Sequence, residues 1–323
     1  MRTRRFELLT RLQAASEDRA SSQEASAEAR KQLRERLGLN VPYEWWPRAA
    51  TLKAIEAAGF SWVQVASPPL EMLADPRRVV QHGRPLRRAL EVTRLGVVVH
   101  APTNLRLGSS LHNRAGEGLL EYAHELGATY VVYHALDVRK PGTETEAEER
   151  ALRLLARWAE TFGIVLCLEN LCPVYPTGPS LCHDPQEVCA LVTRLESESV
   201  RMLLDIGHAH VVADRESFDL AGFVSPVLES VALLHVHDNL GARRRDTGPP
   251  ALDPLRLDLH LAPGGGTLPW SSLARVLTRH SAPLILEVHP SHRPSATALM
   301  EAAEAALAVG PSPSAASLES LRI

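Results

Sequence analysis

The chain has 323 residues, of which 45% are hydrophobic and 23% are charged, so it fits one large globular domain and not a disordered polymer. Its formal net charge of −3 argues against a protein that binds polyanions by charge alone. No apolar run approaches the roughly 20 residues of a membrane span, so we expect no membrane association. Met1–Arg5 is not followed by the apolar core of a secretory signal. The four cysteines form no CxxC pair, which favours reduced thiols in a cytoplasmic protein.

Taken in chain order, residues 1–34 are polar and predict an extension that is either helical or disordered. Short runs rich in valine, isoleucine and leucine then alternate with amphipathic stretches of helical spacing. The predicted strands are Leu37–Val41, Trp62–Ala66, Leu95–His100, Tyr130–His134, Ile164–Glu169, Met202–Asp205, Ala232–His237 and Leu284–Val288. The predicted helices are Ala49–Ala58, Arg77–Val92, Gly116–Leu126, Glu146–Thr161, Pro185–Leu195, Ser271–His280 and Ala298–Ala308.

Eight strands that alternate with helices predict a parallel sheet, and eight is the number that closes a (β/α)8 TIM barrel. We therefore predict one barrel domain over residues 35–309, followed by a flexible tail over residues 310–323. Asp75 and Asp184 each precede a proline and are expected to cap helices. A doubly wound open sheet is the alternative, but no glycine-rich nucleotide-binding motif accompanies it.

Six consecutive predicted strands, the third to the eighth, end in a potential metal ligand. In a TIM barrel the carboxyl ends of the strands meet at one mouth, where such side chains converge. A carboxylate at the end of a buried run is costly unless a cation or another partner compensates it. The residues concerned are His100, His134, Glu169, Asp205 with His208, His235 with His237, and Glu287, and the loop after the seventh strand adds Asp258 and His260.

Histidines and carboxylates without cysteine suit Zn²⁺ or Mn²⁺, with Fe²⁺ and Co²⁺ as alternatives, better than Ca²⁺. His235 and His237 are two residues apart on one strand and share a face. Asp205 and His208 flank a break at Gly207, and we expect that turn to bring both to one ion. The sequence thus predicts a divalent metal centre of one to three ions per chain.

Over residues 37–308 the sequence resembles the xylose isomerase-like TIM barrels, a superfamily that includes the family 2 apurinic (AP) endonucleases. The resemblance rests on HAP at His100, LEN at Glu169, LDIGHAH at Asp205, HVHDN at His235, DLHLAPGGG at Asp258 and LEVHP at Glu287. In the sugar isomerase and epimerase branch it implies one divalent ion held by Glu169, Asp205, His235 and Glu287. In the endonuclease branch it implies three zinc ions and five further ligands, which match His100, His134, His208, Asp258 and His260.

The segments between the ligands favour the first branch. The endonucleases typically have a motif similar to ENTAGQG at the glutamate and DRH before a glycine pair. The corresponding segments of this chain are ENLCPVYPTGPSLCHDP and DLHLAPGGGTLPW. We therefore expect an isomerase or epimerase that acts on a sugar, sugar phosphate or cyclitol through a metal-stabilised enediolate. Glu169 and Glu287 are predicted to exchange the proton, with His237 as a proton relay or substrate contact. The predicted substrate-binding residues are Arg106, Asn170, Asn239, Arg243 and Arg244.

The alternative is a zinc-dependent phosphodiester hydrolase of the family 2 AP endonuclease type, with Arg106 and the Arg243–Arg245 run holding phosphate. Because the net charge is negative, nucleic acid is a less favoured partner than a small polyhydroxylated or phosphorylated substrate. A lyase on the same scaffold and a barrel that only binds metal are further alternatives. Whether the chain forms a homo-oligomer stays open.

Overall fold

The computed structural model describes residues 25, 27–41, 47–172, 180–242, 258–277 and 279–307. Eight parallel strands pair in chain order, and β8 pairs with β1 to close the sheet, so the predicted TIM barrel is confirmed. The strands are β1 Leu37–Val41, β2 Trp62–Ala66, β3 Gly96–His100, β4 Tyr130–His134, β5 Val165–Glu169, β6 Val200–Asp205, β7 Val231–Val236 and β8 Leu284–Leu286.

Helices surround the barrel and bury their apolar sides against the outward faces of the strands. After β1, those of the described part are α1 Ala49–Ala57, α2 Leu70–Leu73, α3 Pro76–Leu90, α4 Ser110–Leu126, α5 Thr143–Phe162, α6 Pro185–Leu195, α7 Ile206–Glu216, α8 Leu220–Val224, α9 Trp270–Leu277 and α10 Ala296–Leu307. Short 3₁₀ turns occur at Leu181–His183, Ser225–Ser230 and Pro290–His292. No helix among these residues is both long and apolar enough to span a membrane.

The predicted caps of two helices are confirmed. The side chain of Asp75 accepts the backbone N–H groups of Arg77 and Arg78 at the start of α3, and Asp184 accepts that of Gln186 at the start of α6. Each carboxylate satisfies amide groups that have no partner inside the helix. These two helices therefore begin where aspartate followed by proline predicts.

The barrel interior explains why the polar residues reach the mouth. Side chains alternate between the two faces of a strand, so the residue two positions after a buried interior residue points inward as well. The interior layer consists of Val98, Val132, Cys167, Leu203, Leu233 and Ile285, all of them fully buried. Two residues further along the same strands are His100, His134, Glu169, Asp205, His235 and Glu287. The strand period alone thus places six potential ligands in one layer above the apolar interior.

The bottom of the barrel is filled by Trp62. The ring lies where a side chain at Gly96 would have to be, so the glycine of β3 makes space for it. Residues 27–36 are helical and lead directly into β1. Arg36 from this helix donates to the carbonyl oxygens of Leu277 and Ala282, which ties the N-terminal helix to the end of α9 and the start of β8. Residues 1–24 and 308–323, which hold most of the predicted extension and tail, lie outside the described residues.

Candidate functional site

A cavity of about 1110 Å³ opens at the carboxyl ends of the strands. Its wall includes seven of the nine positions that the sequence comparison with the endonucleases predicts as ligands. These seven are His100, His134, Glu169, His208, Asp258, His260 and Glu287. The other two, Asp205 and His235, are fully buried just behind the wall. The structure therefore brings all nine predicted ligands to one place.

The donor atoms fall into three groups, and within each group they lie within 4.8 Å of one another. The first cluster is His100, His134 and Glu169. The second cluster is Glu169, Asp205, His235 and Glu287. The third cluster is His208, His237, Asp258 and His260.

Glu169 connects the first and second clusters. Its Oε2 lies 3.1 Å from Nε2 of His134 and 3.4 Å from Nε2 of His100. Its Oε1 lies 3.1 Å from Nδ1 of His235. The carboxylate is 1% exposed, so its contacts are mainly with the donors of these two clusters.

The second cluster is built around His235. Nδ1 of its ring lies 3.1 Å from Glu169, 3.4 Å from Glu287 and 3.7 Å from Asp205. Nε2 on the other side of the ring is 2.8 Å from Oε1 of Gln64. Three carboxylates thus face one nitrogen, and the opposite nitrogen is held by a neutral amide.

The segment after β6 differs from the expectation. Helix α7 begins at Ile206, immediately after the strand, whereas the sequence predicts only a turn at this point. Asp205 caps this helix, because its Oδ1 accepts the backbone N–H of His208 at 2.7 Å. Nδ1 of His208 lies 3.6 Å from Oδ2 of Asp205, but Asp205 belongs to the second cluster and His208 to the third. The expectation that both serve one ion therefore stays a prediction.

Several histidines have one ring nitrogen fixed by a backbone carbonyl. Nδ1 of His100 lies 2.7 Å from the oxygen of Ala101, and Nδ1 of His260 lies 2.7 Å from that of Glu287. Nδ1 of His208 lies 2.9 Å from the oxygen of Asn170. Histidines that bind metal ions usually donate their second N–H in this way, which leaves Nε2 free to coordinate. The rings are therefore oriented as metal ligands need to be.

The charges of these groups are strongly coupled. Burial opposes protonation of His100, but the Glu169 carboxylate, 3.4 Å from its Nε2, outweighs it and raises the pKa of His100 to about 9. Burial likewise opposes ionisation of Asp205, but the charges of His208 and His237 hold its pKa at about 2. Asp205 is therefore ionised at neutral pH, and a cation that binds His100 has to displace a proton.

The donor set fits a divalent cation. Glu169 Oε2, Asp205 Oδ2, Asp258 Oδ1 and both ring nitrogens of His237 are buried and form no hydrogen bond with the described residues. Unsatisfied buried polar atoms are rare and call for an unseen partner such as an ion. Imidazole and carboxylate donors together suit zinc, iron or manganese. Each cluster contains at least two residues that line the cavity, so all three would hold ions there.

The residues predicted to bind substrate occupy different places. Arg106 lines the cavity but is paired with Asp137, with 2.5 Å between Nη2 and Oδ2. Asn170 is fully buried, and its amide bonds both the backbone N–H and the carbonyl oxygen of Asp205. Asn239 is also fully buried and bonds backbone groups of Gly207 and Gly241.

Neither asparagine lines the cavity, because the side chain of each forms hydrogen bonds with a backbone segment that carries ligands. We therefore propose that these two residues position the ligands, and substrate binding by them stays a prediction. Arg243 and Arg244 lie outside the described residues.

Two buried polar residues beside the site are not among those predicted from the sequence. Gln64 on β2 is fully buried, and its Nε2 donates to Glu287 while its Oε1 faces His235. A glutamine in the middle of the run WVQVA was the available signal. Asp238, within HVHDN, accepts the backbone N–H groups of Asn239, Gly264 and Leu268 and the indole N–H of Trp270. It thereby fastens the segment that follows Asp258 to the end of β7.

The model of the xylose isomerase-like TIM barrel family matches residues 52–308, which is well over half of the chain. The chain belongs to this family. The resemblance that the strand-end motifs suggest is thus confirmed, and the matched range contains all nine predicted ligands. No curated protein matches the chain by sequence.

Solved structures of the xylose isomerase-like fold superpose on most of the chain. A D-tagatose 3-epimerase-like protein has a TM-score of 0.61 and 20% identity, over 84% of this chain and 97% of its own. The 3-keto-D-glucoside 4-epimerase from E. coli has a TM-score of 0.59 and 16% identity, over 84% and 98%. An L-ribulose 3-epimerase has a TM-score of 0.56 and 16% identity, over 83% and 94%. At such identities the likeness shows a shared fold.

Proposed function

We propose that the chain is a metal-dependent isomerase or epimerase that acts on a sugar, sugar phosphate or similar polyhydroxylated compound. The observation that carries the proposal is the second cluster, in which Glu169 and Glu287 approach the same nitrogen of His235 from two strands at the floor of the cavity. Two carboxylates at one cavity floor are the arrangement that a proton transfer away from and back to carbon requires. The named activities of the structural neighbours, all sugar epimerases or similar to them, support the same class.

Glu287 is the better placed of the two carboxylates to move a proton. It lines the cavity, its Oε1 accepts a hydrogen bond from Gln64, and its Oε2 has no such fixed amide donor among the described residues. Glu169 also lines the cavity but is shared by two clusters, which favours a role in holding cations. A divalent cation at the second cluster would polarise the carbonyl and the adjacent hydroxyl oxygen of the substrate. This would acidify the C–H bond of the hydroxyl-bearing carbon next to the carbonyl.

The experiment is isotope exchange. The purified chain, supplied separately with Zn²⁺, Mn²⁺, Fe²⁺ and Co²⁺, is incubated in D₂O with a panel that includes D-tagatose, D-psicose, L-ribulose and their phosphates. An isomerase or epimerase incorporates one deuterium next to the carbonyl and yields a second sugar, and treatment with a chelator stops both. If no ketose or ketose phosphate exchanges with the metal-filled chain, the proposal fails for this substrate class.

A second candidate is the zinc-dependent phosphodiester hydrolase of the family 2 AP endonuclease type, with two or three ions per chain. The specific observation in its favour is that Glu169 is shared by two adjacent clusters, since a shared carboxylate is suited to a pair of neighbouring ions. Its test uses Zn²⁺-loaded protein with a duplex that contains one abasic site and with bis(p-nitrophenyl) phosphate. Cleavage of either substrate, together with no deuterium exchange on the sugars, selects the hydrolase. A homo-oligomer and a cytoplasmic location stay predictions.

A further inference from the structure

Gln64 lies inside the barrel, at a level where six other strands carry apolar side chains. It is on β2, is fully buried, and pairs in register with Val98 of that apolar layer. Burial of an amide costs free energy unless hydrogen bonds satisfy it, and an aliphatic side chain would avoid this cost. The role of Gln64 therefore has to follow from the groups that its amide contacts.

Both ends of the Gln64 amide contact members of the second cluster. Its Nε2 donates to Oε1 of Glu287, and its Oε1 lies 2.8 Å from Nε2 of His235. An ionised carboxylate has no hydrogen to donate, so the NH₂ end of the amide has to face Glu287 and the carbonyl end has to face His235. An amide oxygen only accepts hydrogen bonds, so Nε2 of His235 carries the hydrogen. Nδ1 of the ring is then the nitrogen that faces the three carboxylates, at 3.1–3.7 Å.

His235 differs in this respect from the other histidines among the nine predicted ligands. Each of the others places Nε2 at 2.9–3.4 Å from a carboxylate oxygen of the site, and they are His100, His134, His208 and His260. In three of these rings Nδ1 contacts a backbone carbonyl oxygen. In His235 the two nitrogens have exchanged places, and the side chain of Gln64 provides the oxygen that a backbone carbonyl provides elsewhere.

We propose that Gln64 is a positioning residue that holds His235 in the tautomer with hydrogen on Nε2, so that the ring binds a divalent cation through Nδ1. The group that bonds the second nitrogen of a histidine ligand fixes the tautomer and the orientation of the ring. The same amide occupies Oε1 of Glu287, which leaves Oε2 to face the cluster, 3.4 Å from Nδ1 of His235. The inference rests on the metal dependence proposed above.

This role predicts which properties a change at Gln64 affects. Gln64 acts on a ligand and on the carboxylate that we propose as the proton carrier, so its loss should lower both the affinity for the cation and kcat. Gln64 also borders the cavity. A direct contact with the substrate would instead raise KM and leave the affinity for the cation unchanged, and the two roles are therefore separable by experiment.

The test determines the histidine tautomers by NMR in the full chain, labelled with ¹⁵N-histidine and saturated with Zn²⁺. The ¹⁵N chemical shift distinguishes a ring nitrogen that carries hydrogen from one that binds zinc. We expect one zinc-bound ring with hydrogen on Nε2, whereas the other zinc-bound rings carry hydrogen on Nδ1. Gln64→Met keeps the length of the side chain without the amide and should lose this signal. Gln64→Glu still offers an oxygen to Nε2 of His235 and should retain it.

Zinc affinity and turnover provide the second set of measurements. Elemental analysis during titration with a chelator should show one ion bound about 10- to 100-fold more weakly in Gln64→Met. At saturating zinc, kcat for deuterium exchange should fall while KM stays nearly unchanged. The matched control is Gln81→Met, the same substitution at an exposed position of α3, which should keep the spectrum, the affinity and the rate of the wild type.

The spectrum of the wild type alone tests the assignment of the tautomer, so a Gln64→Met variant that does not fold leaves the inference falsifiable. Zinc-bound rings that all carry hydrogen on Nδ1 would overturn it. A folded Gln64→Met with the zinc affinity of the wild type, or with a higher KM as its only change, would overturn the positioning role. A wild type that binds no zinc or other divalent cation would instead overturn the proposed metal dependence, and the inference with it, so the two failures are distinguishable.

Discussion

Replacement of Glu287 by glutamine removes one negative charge from the cavity wall and keeps the size of the side chain. The amide oxygen can still accept the hydrogen bond from Nε2 of Gln64. The ring of His235 keeps its 3.1 Å contact with Glu169. We therefore expect Glu287→Gln to fold and to change the free energy of unfolding by about 1 kcal/mol.

The effect on turnover should be far larger than the effect on folding. A positioned general acid or base contributes roughly 10²- to 10⁴-fold to the rate, which corresponds to about 3–5 kcal/mol of transition-state stabilisation. An amide cannot accept a proton from carbon at neutral pH, so this whole contribution should be lost. Because Glu287 also belongs to the second cluster, the metal content of the variant has to be measured alongside its rate.

The assay is the rate of deuterium incorporation into whichever ketose the wild type exchanges, with kcat and KM determined separately. A loss of kcat with a nearly unchanged KM and at least one ion still bound indicates a missing proton carrier. Glu304→Gln serves as the control, since it makes the same chemical change on α10, where Glu304 pairs with Arg34 away from the mouth. If Glu287→Gln exchanges deuterium at the wild-type rate, Glu287 carries no proton and the reasoning is wrong.

Three other changes probe the site and its supports. Glu169→Gln removes the ligand shared by the first and second clusters, so we expect both to lose affinity in a metal titration while the third keeps its ion; an unchanged metal count would contradict the shared role. Asp238→Asn places an NH₂ group opposite the N–H groups of Gly264 and Trp270, which donate to Oδ2 in the wild type. Calorimetry should show a free energy of unfolding that is lower by about 3 kcal/mol. A decrease below about 1 kcal/mol would mean that water replaces the carboxylate. Tyr133→Phe removes the hydroxyl that donates to Glu148 at 2.6 Å, and it should destabilise the chain by about 1–3 kcal/mol and more at pH 8 than at pH 5. Burial raises the pKa of Glu148 above its usual 4.5, so the free energy of unfolding falls as the pH rises above 4.5. Loss of the hydroxyl that donates to this carboxylate raises the pKa further and makes this fall larger. A loss of stability that does not depend on pH would contradict this reasoning.

Six of the nine ligand positions follow from the strand period of two together with the barrel topology, whereas His208, Asp258 and His260 lie outside the strands and are implied by the family resemblance. Each of His100, His134 and Glu169 follows an interior apolar residue by two positions, and parallel pairing then brings neighbouring strand ends together. No detailed side-chain packing is needed for that result. The same reasoning explains why all eight strands were found.

What could not be predicted depends on contacts between segments that are distant in the chain. The start of α7 at Ile206 is hidden because LDIGHAH contains a glycine, and only the structure shows that this glycine makes space for His237. Asn170 and Asn239 carry amides that suit substrate binding as well as backbone bonding, and burial alone decides between these uses. Gln64 gave only the weak signal of one polar residue in a buried strand, since its partners are on β7 and β8 or just after it.

The central claim is that the mouth of this barrel is a metal centre of three clusters, and anomalous X-ray scattering tests it most directly. Crystals of the purified chain, grown with Zn²⁺, are measured on both sides of the zinc absorption edge. The account predicts anomalous peaks about 2.0–2.2 Å from the donor atoms of the three clusters. Crystals that contain zinc elsewhere but show no anomalous peak beside Glu169 or Asp258 would contradict it.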